Sequence, residues 1–127
     1  MEKRTAVNLV EKYVEAYNAF DIDGMLLLLH EEVVFRNISN GVVNAETKGK
    51  EAFRELAGQS KKLFSQRCQT ITEVNFADDR LEAEIDYEGT LAADLPNGLK
   101  AGEKITLKGK SVFEIEDGKV LLIEDYS

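Results

Sequence analysis

Two segments in the second half of the chain alternate between apolar and charged residues. In residues 81–91 the carboxylates are at positions 82, 84, 86 and 88, and in residues 104–110 the lysines are at positions 104, 108 and 110. A period of two predicts adjacent β-strands, each with one face in solvent and one face covered. We expect these strands to pair antiparallel, because that arrangement sets the acidic row opposite the basic row.

The covered face of this strand pair carries small residues, namely Ala83, Gly89, Gly109 and Ser111. Small side chains fill little of the space between a sheet and the helices above it. This face is therefore predicted to line a hollow rather than a packed core, and a hollow of this kind is typical of a ligand pocket.

Helical spacing of apolar residues dominates the first half of the chain. It predicts an amphipathic helix over residues 3–20 and a third helix over residues 50–64. Between them, Asp21 is expected to cap a short second helix with residues 25–29 as its apolar body. His30, the only histidine, is expected at the C-terminal end of that short helix, where an imidazolium meets the helix dipole favourably.

Strands are predicted between and after the helices, over residues 33–38, 42–47, 66–77, 81–93, 104–116 and 119–126. In the third of these, Cys68 is expected to be a small buried side chain. The order of elements predicts an α+β fold with the helices packed on one face of the sheet. Since no repeat or linker interrupts the pattern, residues 1–127 are predicted to form a single domain.

Charge and composition exclude several classes of function. The net charge is −8, from 16 basic and 24 acidic residues, so nucleic acid is not an expected partner. One histidine and one cysteine supply too few ligands for a zinc site, and we expect neither a metal nor a cofactor. No apolar run approaches the ~20 residues that cross a bilayer, and no secretory signal is expected. The lone Cys68 fits a reducing compartment, which predicts a cytoplasmic protein.

Three strings of the sequence resemble a known superfamily. They are "YVEAYNAFDIDGMLLLLHEEVVFRN", "TKGKEAFREL" and the ending "GKSVFEIEDGKVLLIEDYS". With the order of elements, they resemble the nuclear transport factor 2-like superfamily, which includes SnoaL-like polyketide cyclases and ketosteroid isomerases. The resemblance implies a cystatin-like or ketosteroid isomerase-like cone, in which three N-terminal helices wrap a strongly curved antiparallel sheet around an apolar pocket. It indicates the fold more specifically than the function, because this fold carries many activities.

The resemblance also assigns expected roles to individual residues. Tyr13 matches a tyrosine that donates a hydrogen bond to a developing oxyanion in ketosteroid isomerases, although a core tyrosine would have the same position. The general base of the isomerases falls at Asn37, and their second acid falls at about Ser111. Neither an amide nor a serine hydroxyl replaces a carboxyl group in acid–base chemistry, so steroid isomerisation is not expected.

Asp125 is the remaining candidate for a titrating group, and its orientation depends on the final turn. A two-residue turn at Asp117 and Gly118 would place Glu124 on the side of Ser111. A three-residue loop that includes Glu116 would place Asp125 there instead. We favour the second, and a carboxyl group in an apolar pocket would have a raised pKa and could act as a general acid or base. The alternative is a rim carboxylate paired with a basic side chain.

These residues support two hypotheses from different classes. The first is a small cofactor-free enzyme of the isomerase or cyclase type that binds a hydrophobic metabolite, with Asp125 and Tyr13 as catalytic residues. The second is a non-catalytic dimeric module that binds a ligand or a partner protein. In either case the predicted ligand-binding residues are Tyr17, Phe35, Asn37, Phe53, Tyr87 and Ser111.

The opposite face of the sheet suggests a homodimer. With Asp125 facing inward, Val112, Val120 and Leu122 are expected to form an apolar patch on the outer face. A continuous apolar patch on a sheet is typical of an interface between subunits.

Overall fold

The computed structural model describes residues 2–127. Helices and strands follow the predicted order, and their bounds are α1 Lys3–Asn18, α2 Ile22–Leu27, β1 Leu29–Ser39, β2 Val42–Lys48, α3 Lys50–Lys61, β3 Phe64–Ala77, β4 Arg80–Leu91, β5 Lys104–Glu116 and β6 Lys119–Tyr126. The α+β class is confirmed. Within residues 2–127, no helix is long and apolar enough to cross a membrane.

One open six-stranded sheet joins all the strands in the order β2-β1-β6-β5-β4-β3. Every neighbouring pair is antiparallel except β1 and β6, which run parallel and bring the first and last strands together. The predicted sheet of antiparallel strands is therefore correct apart from this one pair. Register shifts interrupt four of the five ladders, and such bulges bend a sheet and increase its twist. The result is the curved sheet of the predicted fold.

The ladder between β4 and β5 is the uninterrupted one, and it confirms the predicted pairing of charged rows. Glu84 lies opposite Lys110, and Asp86 lies opposite Lys108. Ion pairs cross the ladder, with 2.7 Å between Lys104 Nζ and Glu88 Oε1. Because these side chains are solvent-exposed, the ion pairs fix the register more than they stabilise the fold.

The core lies between the helices and the inner face of the sheet. From α1, Val10 and Tyr13 are buried against the sheet, and the Tyr13 ring meets the Phe113 ring edge-on with centroids 5.9 Å apart. From α3, Phe53 packs edge-on against Phe35 of β1, with centroids 5.8 Å apart. The apolar stripes predicted on these two helices therefore do face the sheet.

The short helix and the first strand differ from the prediction. Helix α2 ends at Leu27, and β1 already begins at Leu29. His30 consequently lies in β1, where its Nδ1 accepts a hydrogen bond from the Glu32 amide at 3.1 Å, and it does not cap the helix. The run of leucines at residues 26–29 is compatible with a helix or a strand. Its last residue is in a strand because Leu29 pairs in parallel with Val120.

Val120 contradicts the expected outer patch. It has no exposed surface and belongs to the core cluster on the inner side of the sheet. Val112 and Leu122 do lie on the outer side, but only 5% and 6% of their surface is exposed within a single chain. Around them, Glu124 accepts hydrogen bonds from Arg36 Nη1 at 2.9 Å and from the Tyr126 hydroxyl at 3.0 Å. The prediction of an exposed patch of three apolar residues is therefore wrong, while the homodimer itself stays a prediction.

Candidate functional site

A cavity of about 550 Å³ lies between the helices and the inner face of the sheet. All the residues that we predicted to be catalytic or ligand-binding lie on its wall: Tyr13, Tyr17, Phe35, Asn37, Phe53, Tyr87, Ser111 and Asp125. Its volume is within the range of small-molecule sites. Across residues 2–127, no three histidine, cysteine, aspartate or glutamate side chains lie close enough together to hold a metal ion.

Asp125 faces the cavity because of a bulge in β6 and not because of the predicted turn. Glu116 pairs with Lys119, so the turn has two residues, Asp117 and Gly118, both with positive φ. The predicted three-residue loop is therefore wrong. A bulge later in the strand leaves Leu121 unpaired, and this extra residue turns Asp125 to the inner face opposite Ser111.

The environment of Asp125 holds its carboxyl group partly protonated near neutral pH. Burial raises the pKa of Asp125 from 3.8 to about 6, because the charged form loses its hydration. A hydrogen bond from Ser111 Oγ to Asp125 Oδ1, 2.6 Å long, opposes part of this increase by stabilising the carboxylate. A carboxyl group with such a pKa can both accept and release a proton under physiological conditions.

Tyr13 supplies a hydrogen-bond donor close to Asp125. Burial raises the pKa of the Tyr13 phenol well above its ordinary value, and the negative charge of Asp125 raises it further. The phenol is therefore neutral and keeps its proton. Its hydroxyl has no hydrogen-bond partner among residues 2–127, so it is free to donate to a ligand oxygen.

Asn37 is the immediate neighbour of Asp125 in the parallel ladder between β1 and β6. Its Nδ2 donates a hydrogen bond to Asn44 Oδ1 at 2.8 Å, which fixes the orientation of the amide. The carboxyl group in this cavity is thus displaced by one strand from the position that the isomerase resemblance gives to the general base.

A second polar group lies elsewhere on the cavity wall, around Tyr17, Tyr87 and Arg67. The hydroxyl oxygens of Tyr17 and Tyr87 are 3.0 Å apart, and burial raises the pKa of both phenols. Arg67 is 6% exposed, and its guanidinium carbon lies 3.7 Å from the centroid of the Tyr17 ring. Its Nε donates to the Tyr17 carbonyl oxygen at 2.9 Å.

Arg67 was not predicted as a site residue, because the residue pattern of β3 predicts the wrong face for the start of the strand. We expected Cys68 to be covered, but Cys68 is exposed and Arg67 faces inward. A register shift between Ile71 and Glu73 reverses the faces partway along the strand, so the apolar residues beyond the shift predict the wrong face before it. Ile71 is the signal that could have identified Arg67. It is the one apolar residue before the register shift that lies on the same face of β3 as Arg67.

The curved sheet, the helices on its inner face and the cavity between them define the nuclear transport factor 2-like, or ketosteroid isomerase-like, fold. A model of the SnoaL-like domain family matches residues 10–123. The chain therefore belongs to the SnoaL-like domain family, as the resemblance predicted.

Solved structures with related sequences agree with this assignment. A protein of Xanthomonas campestris pv. campestris proposed to be a polyketide cyclase shares 26% identity at a TM-score of 0.82, and the match covers 98% of this chain and 91% of that chain. A similarly described protein of Pseudomonas putida KT2440 shares 26% identity at a TM-score of 0.73, covering 94% and 88%.

A third structure supports the fold alone. A protein of Catenulispora acidiphila with a ketosteroid isomerase-like fold, solved in complex with trimethylamine, shares 14% identity at a TM-score of 0.76, and the match covers 94% of this chain and 84% of that chain. No curated protein matches this sequence.

Proposed function

We propose that this protein binds a small hydrophobic metabolite with an enolisable carbonyl group and moves a proton on it without a cofactor. The observation that carries this proposal is the Asp125 carboxyl group, which lies in the cavity with a pKa of about 6. Such a group is matched to general acid–base catalysis near neutral pH. The two relatives proposed to be polyketide cyclases support a substrate of this class.

The proposed step uses two side chains. The Asp125 carboxylate takes a proton from the carbon next to the ligand carbonyl, and the electron pair of the broken C–H bond moves toward the carbonyl oxygen. Tyr13 donates a hydrogen bond to the resulting enolate oxygen, which a buried, neutral phenol stabilises well. Asp125 then returns the proton to another carbon or to the same one, and the carboxylate is regenerated.

A non-catalytic ligand-binding module, acting as a homodimer, is the second candidate. It is favoured by Asn37 and Ser111, which stand where the isomerase resemblance expects two carboxyl groups. In this case Asp125 and Tyr13 would hydrogen-bond a ligand without exchanging a proton. The cytoplasmic location stays a prediction under both candidates.

Proton exchange separates the two candidates. Purified protein would be incubated with 2-tetralone or 2-indanone in D₂O, and NMR would follow loss of the protons next to the carbonyl. Catalysis predicts accelerated exchange that Asp125→Asn reduces by roughly 10²- to 10⁴-fold, whereas Asp79→Asn, in an exposed turn, changes nothing. Exchange no faster than that of the Asp125→Asn variant on both ketones contradicts the catalytic proposal and favours the binding module.

A further inference from the structure

Arg67 is a buried cation without an anionic partner. Its residue surface is 6% exposed, and within residues 2–127 no carboxylate lies in ion-pair distance of its guanidinium. Arg36 and Arg80, in contrast, pair with the partly exposed carboxylates Glu46 and Glu114. Buried charges are usually paired, because an isolated ion loses much of its hydration free energy on burial.

Neighbouring groups stabilise only part of the Arg67 guanidinium. Its Nε donates to the Tyr17 carbonyl oxygen near the C-terminus of α1, where the helix dipole favours a cation. The rings of Tyr17 and Phe20 lie 3.7 Å and 4.4 Å from its central carbon and contribute cation–π attraction. These contacts involve the faces of the guanidinium and one of its five N–H groups.

The four remaining N–H groups, on the two Nη atoms, have no hydrogen-bond acceptor among residues 2–127. Within residues 2–127, the only side-chain polar atom that is both fully buried and unpaired is Thr47 Oγ1. The unpaired Nη atoms of Arg67 are therefore not fully buried and keep some access to solvent. Arg67 lines the cavity beside Tyr17 and Tyr87. A guanidinium edge of this kind matches the two oxygens of a carboxylate.

Arg67 lies on β3 and Asp125 lies on β6, so two strands, β4 and β5, separate them in the sheet. The charge of Asp125 acts on the pKa of Tyr13 more strongly than the charge of Arg67 does. For Tyr17 and Tyr87 the order is reversed, since Arg67 lowers their pKa more than Asp125 raises it. A ligand could therefore contact both charged residues only through groups at two different places on its skeleton.

We propose that Arg67 forms a carboxylate subsite, so that the ligand is a hydrophobic carboxylic acid whose ionised group binds the Nη atoms. The carboxylate subsite stands on the burial and free donors of Arg67. Only the further claim, that the same ligand presents its carbonyl group to Asp125 and Tyr13, rests on the proposed function. Together they narrow the substrate class to hydrophobic keto acids.

A matched pair of probes tests the subsite directly. 2-Naphthoate and 2-naphthamide have nearly the same shape, but only the first is an anion at neutral pH. Isothermal titration calorimetry on the wild-type chain should show that the acid binds roughly 10- to 100-fold more tightly than the amide, as expected for a charge-assisted hydrogen bond. Equal affinities for the two probes would overturn the proposal.

Two arginine variants locate the preference. Arg67→Met should remove the preference for the acid and leave amide binding nearly unchanged. Arg80 is a partly exposed arginine on β4, and Arg80→Met should keep the preference for the acid. A preference retained in Arg67→Met contradicts the subsite. If Arg67→Met does not fold, the wild-type NMR spectrum decides: naphthoate, but not naphthamide, should shift the Arg67 Nε–Hε resonance.

Backbone shifts identify where the probe binds. Arg67 also borders a second pocket, of about 390 Å³, together with Ser65 and Thr90. Shifts centred on Phe53 and Tyr87 support the cavity subsite, and shifts centred on Ser65 and Thr90 contradict it. Asp125→Asn should bind naphthoate at least as well as the wild type, so loss of proton exchange and loss of carboxylate binding are distinguishable failures.

Discussion

The two ladders on either side of β5 are built differently. Between β4 and β5 the pairing runs without interruption from Arg80 to Thr90, and the exposed face carries ion pairs that the alternation of residues predicts. Between β5 and β6 a bulge leaves Leu121 unpaired, and the residues beyond it include the buried Ile123 and the cavity residue Asp125. Regular alternation fixes the register of the first ladder, while an irregularity places the candidate site in the second.

This difference shows where the sheet carries its stability and where it carries its chemistry. The charged rows of the first ladder are in solvent, where ion pairs contribute little. The second ladder packs against α1 and places a carboxyl group on the largely apolar wall of the cavity, where partial desolvation is unfavourable for the charged form. Substitutions should therefore have large effects in β6 and small effects on the exposed face of the β4–β5 ladder.

The largest expected effect comes from the core side of β6. Ile123 has no exposed surface, so Ile123→Ala should lower the free energy of unfolding by about 2–5 kcal/mol through lost burial and the cavity that it leaves. Thr106 of β5 lies opposite Glu88 on the exposed face of the β4–β5 ladder, and Thr106→Val should change it by less than about 0.5 kcal/mol. Urea denaturation measures both, and equal losses would contradict this account of the two ladders.

Asp125→Asn should have an intermediate effect that depends on pH. Because the folded state raises the pKa of Asp125 from 3.8 to about 6, the wild-type chain loses stability as the pH rises through this interval. The full loss corresponds to ~3 kcal/mol, and the uncharged asparagine does not suffer it. The variant should therefore gain stability relative to the wild type between pH 4 and pH 7.

Urea denaturation at a series of pH values measures this difference. Asp79→Asn is the matched control, because Asp79 lies exposed in the turn between β3 and β4. The difference in the free energy of unfolding between Asp79→Asn and the wild type should not change with pH in the same way. A flat difference for Asp125→Asn across the interval would mean that the carboxyl group is not desolvated.

The smallest expected effect is on the outer face of the β4–β5 ladder. Lys108 and Asp86 are separated by 3.8 Å between Nζ and Oδ1, and both side chains are largely exposed. Lys108→Gln should change the free energy of unfolding by less than about 0.5 kcal/mol, and added salt should reduce the change further. A loss above about 1 kcal/mol would show that the charged rows stabilise the fold more than exposed ion pairs usually do.

Much of the fold could be predicted from periodicity, because in a long regular segment the spacing of apolar residues shows which face is buried. The helical stripe that includes Val10 and Tyr13 and the alternation along β4 both face as expected. The predictions failed where a segment fits both a helix and a strand locally and a contact with a residue distant in sequence determines which one forms. His30 is in a strand because Leu29 pairs with Val120, and no local pattern contains that pairing.

Bulges explain the remaining errors in the site. A bulge adds one residue to a strand and reverses the faces beyond it, yet it leaves no clear mark in the composition. The inward orientation of Asp125 followed from an incorrect turn, and the bulge at Leu121 produces the same orientation by another route. Arg67 was missed because a register shift after Ile71 separates it from the apolar residues used to assign the face of β3.

The most direct test of the central claim is an NMR titration of the Asp125 side-chain carboxyl carbon in the wild-type chain. The Asp125→Asn variant would assign the resonance. We expect a midpoint at about 6, because burial partly desolvates the carboxylate. A midpoint near the ordinary value of 3.8 would mean that the group is well hydrated, and it would remove the basis for acid–base catalysis in this cavity.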